Sequence, residues 1–219
     1  MLRLLGFVLP VLLATPVLGS EFKLLMIDGY LVKWGAPALG TSAEVSYGFV
    51  TEAESFPDAI NCGEMAPMDA ISSVWGGDDA ALERIAADAF AMWSDAARVA
   101  FRRAAPGERP DILIGTQGKP RRIAFANVWH DAEAARDGIA PLTAATICFN
   151  PEAAWVVADV GPGEEALDIR TVLAHEIGHA IGLGHPGPTG SLMAFQPQGT
   201  MERLMPGDIE GSLTLYGAR

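Results

Sequence analysis

Residues 175–185 read His-Glu-Ile-Gly-His-Ala-Ile-Gly-Leu-Gly-His and hold three of the chain's four histidines. On a helix, His175 and His179 stand four residues apart, so both imidazoles leave one face toward a single point. Gly182 can take a positive φ and end the helix, which lets the chain turn back and bring His185 to the same point. Three neutral imidazoles at about 2.0–2.1 Å from a common centre make a zinc site whose fourth position is open to water, a catalytic arrangement and not a closed structural one. Zinc in such a site lowers the pKa of its water toward about 7 and polarises a carbonyl. Glu176, the only acidic residue of the stretch, sits beside His175, where a carboxylate would take the water's proton and return it to a leaving nitrogen. That chemistry is amide hydrolysis.

Asp168 is a credible N-cap for a helix running to Gly182, which is the helix that carries the motif. Strands are expected at Val45–Val50, Asp111–Gly115, Ile123–Asn127 and Thr146–Asn150. Leu82, Ile85, Ala86, Ala89, Trp93, Ala97, Ala100 and Phe101 recur at helical spacing and predict one long helix stopped by Pro106-Gly107. Acids near its start and Arg102 and Arg103 near its end suit the macrodipole. Its aromatic stripe reads as core. Residues 51–78, with Pro57, Pro67 and Gly76-Gly77, read as a long loop carrying Cys62, and a last helix spans about Gly207 to Leu215. Strands with helices following, and one helix crossing early, indicate an α+β or mixed architecture.

The chain has 219 residues, one domain by length. Arg3, an apolar run from Leu4 to Leu18 broken by Pro10 and Pro16, and then Gly19-Ser20 read as a cleaved signal peptide over residues 1–19, too short for a comfortable membrane span. Residues 20–219 are then the mature domain, secreted or periplasmic, with no stable membrane anchor. Net charge is −12, and loss of Arg3 makes it −13, which excludes nucleic acid as the default partner. Cys62 and Cys148 are an even pair in an exported chain, which favours one disulfide; two buried thiols are the other reading.

The stretch from His175 through Gly182 to His185 is the zinc signature of the metzincin metallopeptidases, which also place a methionine turn under the metal. Ser191-Leu-Met193-Ala follows His185 by eight residues and makes Met193 the candidate floor. Lys33-Trp34, Tyr47-Gly-Phe49, Ala89-Phe90 with Trp93-Ser94, Phe101, Asp111-Ile112, Ile209-Glu-Gly211 and Leu215-Tyr-Gly217 follow in the order of a matrixin, the matrix-metalloproteinase type of catalytic domain. This chain resembles that type over about residues 30–217. Pro186, where matrixins usually carry serine, resembles the serralysins instead. Those enzymes have a zinc-ligating tyrosine two residues past the turn methionine, where this chain has Phe195.

The resemblance implies a zincin-like α+β fold: a twisted, five-stranded, mainly parallel sheet with three helices and an active-site cleft running across. It further implies a zinc endopeptidase with His175, His179 and His185 on one catalytic Zn2+, Glu176 as general base, and a protein or peptide substrate extended along the edge strand at Ile123–Asn127. Thr171, Phe195 and Pro197 are the candidate substrate-pocket residues, and a monomer is expected. Vertebrate-type matrixins add a structural zinc and Ca2+; Ca2+ has no clear motif here, and His130 alone remains for a second zinc set. Cys148 falls where one of those further histidines would stand, so a Cys62–Cys148 disulfide would staple a loop where the family uses metal. A matrixin's inhibitory cysteine segment is not visible, and Asn61-Cys62-Gly63 lies inside the domain, which leaves inhibition by a Cys62 thiolate as a lesser alternative. A rival to the enzyme is a zinc-containing binding protein, or a partner-restricted peptidase, on the same fold.

Overall fold

A computed structural model describes residues 22–187, 190–195 and 199–219. The leader reading at 1–19 and the pocket residue Pro197 lie outside these. Seven strands organise the domain: β1 (Tyr30–Lys33), β2 (Ala43–Phe49), β3 (Glu64–Ala66), β4 (Val99–Arg103), β5 (Ile112–Gln117), β6 (Ala124–His130) and β7 (Ile139–Phe149). Three α-helices accompany them, α1 (Asp79–Ala96), α2 (Ile169–Ala180) and α3 (Pro206–Tyr216), with a 3-10 helix at Met68–Trp75.

The central sheet runs β4–β2–β5–β7–β6. Its first four strands are parallel, and β6 is antiparallel along the edge, paired with β7 from Leu142↔His130 to Phe149↔Ala124. This is the expected five-stranded, mainly parallel sheet. Shorter strands extend it: β1 pairs parallel with Ile139–Pro141, and β3 pairs antiparallel with the end of β5.

Alternation along the inner strands separates two apolar layers. Ile112, Ile114, Ile147 and Phe149 join Trp93 and Phe90 of α1 and Leu173 and Ile177 of α2 in the main core. Leu113 and Cys148, one residue out of phase, point to the other face and form a smaller cluster with Val50, Cys62 and Met65. Trp93 is fully buried and its indole donates to the Ala174 carbonyl at 2.9 Å, so it joins α1 to α2 as a core residue.

Two expectations are corrected. Helix α1 is capped by Asp78 and ends at Ala96, so Ala97, Ala100 and Phe101 are not helical. Those residues continue the helical spacing, but Val99–Arg103 pairs in parallel with Ala43–Tyr47, and tertiary pairing overrides the local pattern. Arg102 and Arg103 therefore decorate an edge strand, ion-paired to Glu108, Glu44 and Glu83, and not a helix end. The supposed loop over 51–78 contains a short hairpin, Glu54–Ser55 against Glu64–Met65, and the 3-10 helix.

Candidate active site

Helix α2 starts where Asp168 accepts hydrogen bonds from the Thr171 amide at 3.3 Å and the Thr171 hydroxyl at 2.8 Å. It ends before Gly182, whose φ is +103°; a Cβ there would overlap the Val32 carbonyl, so only glycine fits this reversal. Three consecutive carbonyls of the reversal each find a donor on a different element. Ala180 accepts from the Trp34 indole at 2.8 Å, Ile181 from the Tyr216 hydroxyl at 2.7 Å, and Gly182 from the Leu25 amide at 2.8 Å. Leu183–Gly184 then pairs antiparallel with Lys23–Leu24 and delivers His185. Beneath this network Lys33 is fully buried, donating to the Trp34 and Ala36 carbonyls and the Thr41 hydroxyl, and burial lowers its pKa to about 8.

The three histidines converge. His185 Nε2 lies 3.1 Å from His175 Nε2 and 3.0 Å from His179 Nε2. The outer nitrogens are already committed: His175 Nδ1 faces the Leu192 carbonyl at 2.6 Å and His179 Nδ1 the Leu183 carbonyl at 2.7 Å. A carbonyl can only accept, so each Nδ1 carries the proton and each Nε2 presents a lone pair. The Nε2 lone pairs of His175 and His179 thus both face His185 Nε2, and three imidazole nitrogens gathered in this way are a donor set that zinc takes. Burial and then the neighbouring imidazoles hold His179 at a pKa of about 3. Burial, His175 and Lys23 hold His185 at about 4, which keeps both rings in the neutral, ligating form. Among the described residues this trio is the one group of three or more His, Cys, Asp or Glu side chains placed to hold a metal ion.

Glu176 points into the same groove. It is buried, takes a hydrogen bond from the Ala126 backbone in β6, and has a pKa raised to about 8 by burial. Its Oε2 is buried without a partner, an arrangement that costs free energy unless a further group, such as a water at the histidines, satisfies it. Met193 lies against Gly178 of α2, 98 % buried, and makes an apolar floor beneath that helix. Asp208, which sequence reasoning did not single out, braces this floor: its carboxylate accepts from the Leu192, Met193 and Met205 amides at 2.8, 3.1 and 2.9 Å. Since the Leu192 carbonyl holds His175, the brace reaches the metal site through one residue. The only sequence signal was an acid in the first turn of a helix that begins with proline.

The groove has a volume of about 1490 Å³ and is lined by β6, by His185 and Phe195, and by the Lys23–Ile27 segment. Phe195 lines it, 64 % exposed, with its ring edge-on to His185 at 5.1 Å. Thr171 lines it too, but its hydroxyl is used internally, donating to Asp168 and accepting from the Met201 amide. His130 stands at the far end of β6, 3.9 Å from Asp28, apart from the metal trio. Cys62 and Cys148 form a disulfide, which joins the 56–63 loop to β7 and leaves no thiolate to inhibit a metal.

The matrixin family model matches residues 75–217, well over half of the chain. This chain belongs to the matrixin family. The similarity extends to plant and animal matrixins: the chain is 32% identical to Metalloendoproteinase 1-MMP of Arabidopsis thaliana over 139 residues, 59% of this chain and 36% of that protein. It is 30% identical to human Stromelysin-3 over 142 residues, 60% of this chain and 26% of that protein. Against Metalloendoproteinase 1 of Glycine max the identity is 28% over 194 residues, 82% of this chain and 60% of that protein. The chain thus spans about a quarter to a third of the first and second of these relatives. The family implies zinc at the histidine trio, and the mixed fold with its parallel sheet is that of a matrixin, despite Pro186.

Proposed function

We propose that this matrixin domain is an exported zinc-dependent endopeptidase in which His175, His179 and His185 hold the metal and Glu176 is the general base. The observation that carries the reading is the convergence of three imidazole Nε2 atoms beside the unpartnered Glu176 Oε2 in one open groove. Zinc bound by the trio supplies Lewis acidity, acidifying water and polarising a scissile carbonyl. With the Ala126 backbone bonded to its carboxylate and Oε2 unpartnered in the groove of the histidines, Glu176 is placed to take a proton from water and carry it to the leaving nitrogen. Strand β6 has one edge paired to β7 and its other edge toward the groove, so an extended peptide can add to it by backbone hydrogen bonds. Phe195 and Thr171 wall the pocket beside the metal. Export follows from the leader reading of residues 1–19, with residues 20–219 as a monomeric catalytic domain. No helix among the described residues is long and apolar enough to cross a membrane.

The test is hydrolysis of casein and of a quenched peptide library by the purified chain, with and without a chelator. Activity should vanish on chelation and return with about one equivalent of zinc. Chelator-resistant hydrolysis by metal-free protein would overturn the assignment, and zinc binding with no cleavage of any peptide would favour a binding protein.

A further inference from the structure

Five large apolar side chains stand exposed among the described residues, and three of them, Met26, Ile60 and Phe195, line the one groove. Ile60 is the extreme case at 84 % exposure. It is not carried on a slack loop. The Phe56 amide donates to the Gly63 carbonyl at 2.8 Å and closes the loop, and the Ala59 amide donates to the Phe56 carbonyl at 3.0 Å. On the next residue, the Asn61 amide donates to Asn127 Oδ1 at 3.0 Å while the Asn61 carbonyl accepts from Arg121 at 2.6 Å. Cys62 follows, tied to Cys148 of β7. Backbone bonds and a covalent link therefore present a bare isoleucine at the rim of the groove. Apolar surface held rigidly beside a cleft marks a contact surface.

Strand β6 tells which substrate side chains it would meet. Ala124, Ala126 and Val128 face the main core and the metal helix, whereas Phe125 joins the cluster under the loop and Asn127 bonds Asn61. A peptide added to β6 continues this alternation, sending successive side chains toward the histidines and toward the loop. We propose that Ile60 is a specificity-determining residue: the disulfide-anchored 56–63 loop holds it over the groove, where it takes an apolar substrate side chain that projects away from the histidines. The proposal rests on the endopeptidase reading above and adds a second wall to its substrate site.

The test compares quenched peptides that carry leucine or serine at each of three positions on either side of the cut bond. The wild type should prefer leucine about tenfold at one loop-facing position, the preference should fall to about twofold in Ile60→Ala, and Ile60→Leu should restore it. Ile60 supports no core packing, so these variants keep the fold. Identical position-by-position profiles for the wild type and Ile60→Ala would overturn the proposal. Should the wild type cleave none of the peptides, the endopeptidase reading fails and fluorescence anisotropy with the same labelled peptides decides the loop's role. Tighter binding of a leucine peptide that is lost in Ile60→Ala supports it; equal affinity for leucine and serine peptides throughout overturns it.

Discussion

Reducing the Cys62–Cys148 bond should remove a large share of the domain's stability. The two cysteines lie 86 residues apart in sequence. Closing a loop of that length removes denatured-chain entropy worth about 4–5 kcal/mol at 25 °C, against a total of about 5–15 kcal/mol for a typical domain. The folded state loses little beyond the bond, because both sulfurs lie in the apolar cluster of Val50, Met65 and Leu113, where thiols pack as small hydrophobes. The assay is equilibrium urea unfolding, followed by the fluorescence of the five tryptophans, with and without a phosphine reductant. Excess chelator in both arms removes the contribution of metal binding to the folded state. With a urea slope of about 2 kcal/mol/M, the midpoint should fall by roughly 2 M on reduction. A shift below about 0.5 M, with the slope unchanged, would refute the loop-closure argument.

Other perturbations follow from the packing around the motif helix. A Cβ on Gly178 would overlap Met193 Sδ and come within 2.8 Å of Trp93 Cζ2. Gly178→Ala should therefore gain about 1 kcal/mol of helix propensity and lose about 1–3 kcal/mol to overpacking. It should also weaken zinc binding by displacing the turn whose Leu192 carbonyl holds His175; unchanged urea stability together with unchanged chelator competition would sink this. Buried Lys33 titrates near 8 in the folded state against 10.5 when free, so between those values the unfolded chain binds more protons and stability rises with pH. Relative to Lys33→Met, the wild type should gain up to about 3 kcal/mol across that window, and a flat difference in thermal or urea unfolding would contradict the burial argument.

The site was more legible in sequence than the scaffold around it. A four-residue spacing on a helix fixes direction without knowledge of the rest of the fold, so His175 and His179 could be placed from local geometry, and Asp168 and Gly182 mark the helix ends by their chemistry. The even cysteine count in a chain read as exported was enough to suggest the Cys62–Cys148 pair found here. What escaped depends on partners remote in sequence. Val99–Arg103 becomes a strand because β2 lies beside it, and buried Lys33 sets its ammonium over the ring of Tyr216, 183 residues further along the chain. Asp208 and the 56–63 loop carry no motif, and their roles appear once Leu192 and Asn127 are known to be their neighbours.

The most direct test of the central claim is zinc content and peptide turnover measured together on Glu176→Gln. The amide keeps the size of the carboxylate but cannot take a proton. The variant should retain about one zinc per chain while its turnover falls by about 10²–10⁴-fold. Undiminished hydrolysis with zinc bound would contradict the role assigned to Glu176.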